Sequence, residues 1–139
     1  MPPDPVRVDE VKAWLAKATE DLRSAEHALT ADPPILSDAL FHSQQASEKA
    51  FKAFLVWHEH VFRKTHNLEE LGEKCQRLDA SLKGVVDRAV PLTEYAWAFR
   101  YPGEAVVPDE AEAQSALAVA REVFQAVLDR LPQSFRSQK

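Results

Sequence analysis

Phe41-His42-Ser43-Gln44-Gln45-Ala46-Ser47-Glu48-Lys49-Ala50-Phe51-Lys52-Ala53-Phe54-Leu55 is the stretch on which the fold turns. Ser43, Ala46, Ala50 and Ala53 recur at intervals of 3, 4 and 3, which stacks them on one face of a helix where a neighbouring backbone can approach closely. His42, Gln45, Lys49 and Lys52 recur at the same intervals on an adjacent face. One helix thus carries a packing seam and, beside it, a line of donors fit either to grip an anion or to be solvated.

On the N-terminal side of this helix, Val8, Val11, Leu15, Ala18, Leu22, Ala25 and Leu29 alternate intervals of 3 and 4, a continuous apolar stripe. Asp4-Pro5 supplies an N-cap and a first-turn proline, and Pro33-Pro34 ends the segment because consecutive prolines cannot continue the backbone ladder. The second helix then runs from about Leu36 to about His60. At 1.5 Å per residue both helices are about 35 Å long, and the short loop between them predicts antiparallel packing.

On the C-terminal side, Arg63 to Asn67 breaks the pattern, and Leu68, Leu71, Cys75 and Leu78 mark a shorter third helix. Leu82, Val85, Ala89, Leu92, Ala96 and Phe99 resume helical spacing, with a kink expected at Pro91. Arg100-Tyr101-Pro102-Gly103 turns the chain, and Asp109 with Glu112 makes a capping-box-like start. Ala113, Ala116, Ala120, Phe124, Val127 and Leu131 form the last long stripe, closed by Pro132 and followed by a polar tail over 133–139. The pattern predicts an all-α protein: one domain over 1–139, an up-and-down bundle of four to five helices with its core at about 8–131.

A chain of 139 residues with 45% hydrophobic and 28% charged residues has the composition of one soluble globular domain. Its net charge of −5 argues against nucleic-acid binding by bulk electrostatics while leaving room for a local basic patch. The sequence shows neither a secretory signal nor a stretch of about 20 apolar residues, so no membrane is expected. With Cys75 as its single cysteine, the chain fits a reducing, cytoplasmic compartment. The packing seam and the aromatics Trp14, Phe51, Phe62 and Trp97, which one small core would not fully absorb, suggest a homodimer.

Catalytic signatures are sparse. No histidine has a glutamate three residues before it, as the ligand pairs of di-iron bundles require, and His58-Glu59-His60 points its rings to different sides of a helix. No metal or other cofactor is expected. Cys75 lies on an apolar stripe and reads as a core residue, and no serine sits in a glycine-rich elbow. The candidate ligand- or partner-binding residues are His42, Gln45, Lys49, Lys52, Arg100 and Tyr101, with no catalytic residue assigned. Each has an ordinary reading too. His42 can hydrogen-bond within the bundle, the lysines can be solvated or paired with Glu48, Arg100 can stack on aromatics, and His66 reads as a cap-region residue.

The run Phe41 to Ala50 resembles the FHxQQAxEKA signature of the HEPN family (higher eukaryotes and prokaryotes nucleotide-binding domain). Trp14, Ala16, Ala18, Asp21, Leu22 and Ala25 look like the family's first helix. Thr65-His66-Asn67-Leu68 looks like its T-H-D-L turn with Asn for Asp, and Phe99-Arg100-Tyr101-Pro102-Gly103 looks like its A-R-Y-P element. The resemblance implies a helical bundle, a homodimer and a small nucleotidyltransferase-family partner. Several branches of the family are metal-independent ribonucleases that carry an arginine followed, after four to six residues, by a histidine. None of the nine arginines here has a histidine at that distance. The resemblance therefore favours a non-catalytic HEPN module that binds a nucleotide or RNA phosphate and a nucleotidyltransferase partner in a toxin–antitoxin-like system. A ribonuclease with a non-standard Arg/His pair is the alternative.

Overall fold

The chain is described by a computed structural model covering residues 2–103 and 107–136. Five α-helices carry it: α1 (Pro5–Thr30), α2 (Leu36–Trp57), α3 (Leu68–Leu78), α4 (Lys83–Ala89) and α5 (Glu110–Asp129). Short 3₁₀ segments follow at Ala80–Leu82, Val90–Ala96 and Gln133–Phe135, and the described residues contain no strand.

The helices start where the side chains allow. Asp4 caps α1 by accepting from the Val6 amide, Asn67 caps α3 by accepting from the amides of Glu69 and Glu70, and Asp109 caps α5 by accepting from that of Glu112. The box at α5 is half used. Glu112 turns away from its cap residue and accepts from the Tyr95 hydroxyl at 2.5 Å, so the helix start is tied to the Val90–Ala96 segment. Burial, reinforced by the Glu112 hydrogen bond, pushes the Tyr95 phenol up, and it stays a donor.

The helices α1 and α2 are antiparallel, as their cross-contacts show in register. Arg7 donates to the Trp57 carbonyl, Lys52 lies over the Trp14 ring, Lys49 meets Asp21, and the Ile35 amide donates to the Ala28 carbonyl. The seam of Ser43, Ala46, Ala50 and Ala53 is wholly buried within the chain, as is Phe51. Neither therefore offers surface to a second copy, contrary to the reasoning from sequence; Trp14 and Phe62 are half-buried, and of those four aromatics only Trp97 stays exposed. The core gathers Leu40, Phe51, Phe54, Leu55, Leu68, Leu71, Leu82, Val123 and Val127 from three of the helices and a 3₁₀ turn. Each such leucine or phenylalanine contributes about 1.5–3 kcal/mol by leaving water.

Where a kinked helix was expected, the chain changes helix type. The α-helix α4 stops at Ala89 and the segment with Pro91 continues as a 3₁₀ helix. Proline lacks the amide an α-helix needs there, and tighter i to i+3 bonding accommodates its loss. Packing between α3 and α4 is close. A Cβ on Gly72 would lie 2.6 Å from a Val86 methyl.

Candidate functional site

Two carboxylates organise the polar side of α2. The first is Asp21 of α1, which sits on the buried face between Ala18 and Ala25. Its Oδ1 lies 2.8 Å from His42 Nδ1 and its Oδ2 accepts from Lys49 Nζ at 2.6 Å. The helical turns between His42 and Lys49 place both side chains over the same carboxylate. Asp21 is 9% exposed, while Lys49 and His42 keep 20% and 28% of their side chains in solvent. A carboxylate only accepts, so Nδ1 of His42 carries the proton and Nε2 faces away from Asp21.

The second is Glu48, on α2 itself and buried. Its Oε2 accepts from Lys52 at 2.8 Å, its Oε1 lies 2.8 Å from His66 Nδ1, and the amides of Gln44 and Gln45 approach Oε1 at 3.4 Å. Gln45 also donates to Gln44, and Gln44 to the His66 carbonyl, so the amides close the network. The Lys52 ammonium rests 5.3 Å from the Trp14 ring centre and 5.9 Å from that of Phe62. Lys52 is 7% exposed.

The expected single exposed row of donors is thereby divided. Gln45 and Lys52 are buried in a structural network, whereas His42 and Lys49 remain reachable at the Asp21 centre. The Lys52–Glu48 pair is an internal ion pair rather than a solvated one. His66 is more than a cap-region residue, because it spans from the α3 entry loop to Glu48.

Arg100 joins the open half. Its guanidinium stacks 3.8 Å from the centre of the Phe41 ring, and the other neighbour of that ring is His42, edge-on at 5.2 Å. The aromatic on which Arg100 stacks is thus a ring of α2. Phe99 makes this possible. It adopts the left-handed region at φ 64°, unusual for a bulky side chain, and stacks on Tyr95. The chain is thereby turned back so that Arg100 reaches α2. Tyr101 is 71% exposed and lies beyond this centre, next to Pro102.

The open side of α2 therefore carries Lys49 and a histidine oriented by a carboxylate, with Arg100 on the Phe41 ring beside that histidine. Such a set binds phosphate oxygens by charge-assisted hydrogen bonds and holds a group able to move a proton. Among the described residues no group of three or more His, Cys, Asp or Glu converges to hold a metal ion. Burial pushes the Cys75 thiol up, which makes it a poor nucleophile. Asp21 and Glu48 were not singled out as site residues from the sequence. The available signal was Asp21 standing among small residues on an otherwise apolar stripe.

The family model described as HEPN domain matches residues 11–131. No curated protein and no solved structure gives a significant match. No helix among the described residues is long and apolar enough to cross a membrane. The matched segment runs from within α1 to beyond the end of α5, and the chain belongs to the HEPN domain family.

Proposed function

We propose that this HEPN-domain chain is a phosphate-recognising module for nucleotides or RNA, with Lys49 and Arg100 as its anchors and His42 as the group facing the bound phosphate. The observation that carries the reading is the Phe41 ring, which gathers Arg100 and the Asp21-oriented His42 at one end of α2. Family resemblance adds a small nucleotidyltransferase as protein partner, in a toxin–antitoxin-like setting. Gln45 and Lys52 have no place in this site. The test is equilibrium binding of a fluorescent nucleotide and a short RNA over a salt series. Lys49→Ala and Arg100→Ala each weaken binding several-fold and reduce its salt dependence, while Lys52→Arg leaves it unchanged in the folded protein. Equal binding by all variants refutes the site.

The same geometry favours one second reading, a metal-independent ribonuclease. Nε2 of His42 would take the proton of a ribose 2′-hydroxyl, the 2′-oxygen would attack phosphorus, and the P–O5′ bond would break with the departing 5′-oxygen taking a proton from water. Arg100 would stabilise the charge on the phosphoryl oxygens. The product is a 2′,3′-cyclic phosphate end and a 5′-hydroxyl end. Incubation with RNA in EDTA separates the readings. Cleavage lost in both His42→Ala and Arg100→Ala establishes the enzyme; intact RNA alongside salt-dependent binding establishes the non-catalytic module.

A further inference from the structure

The outer face of α1 borders a trough of about 580 Å³, a volume within the range of small-molecule pockets. Its floor is apolar, built by Leu15 of α1, Phe124 and Leu128 of α5, and Phe135 of the last 3₁₀ turn. Beyond Phe124 and Arg23, Arg121 of α5 bridges to Glu26 of α1 and closes one end. At the other end Phe135 is held edge-on to Trp57 at 5.5 Å, and Nη1 of Arg136 donates to the carbonyls of Leu128 and Leu131. Trp57 also carries Arg7, so this end belongs to the first turns of α1, where Lys12 lies. Lys12 and Arg23 stand on the rim about 16 Å apart, at 1.5 Å per residue, and among the described residues neither side chain has a hydrogen-bond or ion-pair partner. The one rim carboxylate, Glu20, is in loose contact with Lys17 at 3.8 Å. A chain of net charge −5 thus sets Lys12, Arg23 and Arg136 against a single carboxylate around an apolar trough.

We propose that the trough binds a free long-chain fatty carboxylate, with its alkyl chain on the floor and its head at the Lys12 and Arg136 end. Arg136 spends Nη1 on the two carbonyls, which leaves the edge formed by Nε and Nη2 to meet both oxygens of a carboxylate. Lys12 supplies a second charge at that end. The floor offers no polar partner, so a ligand with heteroatoms along its body would leave them unpaired, whereas an alkyl chain loses nothing there. Ala16, small and exposed on α1, keeps the mouth wide enough for the chain to enter. Two closed ends suit a molecule of limited length better than a segment of another protein. Ala16 and Asp21 are five positions apart, about 140° around the helix, so the trough and the Asp21 centre open on different sides of α1. The inference is independent of the function proposed for that centre.

Calorimetric titration of the full chain with dodecanoate, kept below its micelle concentration, saturates at one molecule per chain and raises the melting temperature, as any ligand of the folded state does. Ala16→Leu fills the mouth and abolishes binding with an unchanged helical spectrum, since leucine is a good helix former at an exposed position. Lys12→Glu weakens dodecanoate binding about tenfold, because a like charge then faces the head. Dodecylammonium, with the same chain and the opposite head, binds more weakly than dodecanoate to the wild type. Absent or unsaturable binding, equal affinity for the two heads, or normal binding by Ala16→Leu overturns the proposal. So does a fall in melting temperature, which marks a surfactant acting on the unfolded chain. Sedimentation with phosphatidylcholine vesicles in the absence of dodecanoate binding assigns the trough to a membrane surface and overturns it as well.

Discussion

The two carboxylate centres beside α2 are built from the same kinds of residue and behave in opposite ways. Glu48 is closed over by Lys52, His66, Gln44 and Gln45, and the lysine it holds is shielded by Trp14 and Phe62. Asp21 holds a lysine and a histidine as well, but its lysine keeps 20% of its side chain in solvent against 7% for Lys52, and its histidine adjoins the Phe41 ring on which Arg100 stacks. The difference lies in what surrounds the cation. A lysine whose ammonium is sealed between aromatic rings has spent its donors on the fold, while one at the rim still has donors for a ligand. Each centre joins a carboxylate to a lysine of α2 and a histidine, so residue type does not separate them and the burial of the lysine does.

Breaking Glu48 tests the closed centre most severely. Glu48→Ala leaves Lys52 charged and unpaired in the interior and costs about 3–5 kcal/mol, read as a lowered denaturation midpoint. An unchanged midpoint would erase the distinction between the centres. A packing lesion away from both calibrates this loss: Gly72→Ala forces Val86 to move and destabilises by about 1–3 kcal/mol, with phosphate binding intact in the folded fraction.

At the open centre the order of effects reverses. Lys49→Ala leaves Asp21 bonded to His42, so the expected stability loss is about 1 kcal/mol, while nucleotide binding falls several-fold. The thiol of Cys75, buried and in contact with the Phe51 carbonyl, reports on the same contrast. Its labelling by a disulfide reagent is slow in the wild type, strongly accelerated in Glu48→Ala and little changed in Lys49→Ala.

The smallest expected effect is a pH term outside both centres. Burial, followed by the nearby Arg7 charge, lowers the pKa of His58 below its ordinary value of 6.5. The unfolded chain therefore takes up a proton near pH 6.5 while the folded chain resists. This contribution is fully present above pH 6.5 and is lost as pH falls below it. His58→Gln flattens that part of the melting-temperature profile slightly. A profile unchanged by the substitution would mean that His58 carries none of this pH dependence.

Most of the fold was legible because its determinants are local. Asp4, Pro33-Pro34, Asn67, Asp109 and Pro132 punctuate the chain through their own backbone and cap chemistry, and the apolar periodicities name the inward faces. Pro91 was legible as a disturbance but not in kind, since a kink and a 3₁₀ continuation both answer a missing amide. The site was half legible. His42 and Lys49 share Asp21, and Arg100 lies on the Phe41 ring beside His42, but Gln45 and Lys52 turn inward, and that depends on how α2 is rotated against α1 and the loop carrying Phe62. Asp21 acts on Lys49 across 28 positions of sequence, and no periodicity encodes such a pairing. Arg100 reaches Phe41 through a left-handed phenylalanine, a conformation residue type alone does not foretell.

The perch of Arg100 on a hydrocarbon ring has its own consequence. Had a carboxylate fixed the arginine, added salt would loosen its position along with its ligand, and part of its charge would already be cancelled. A ring holds the guanidinium by its flat face and leaves the rim of N–H groups pointing outward. Placement and attraction are thus separate properties at this position. Ionic strength tunes how strongly the loop pulls on an anion, while the shape of Phe41 keeps it waiting in the same place.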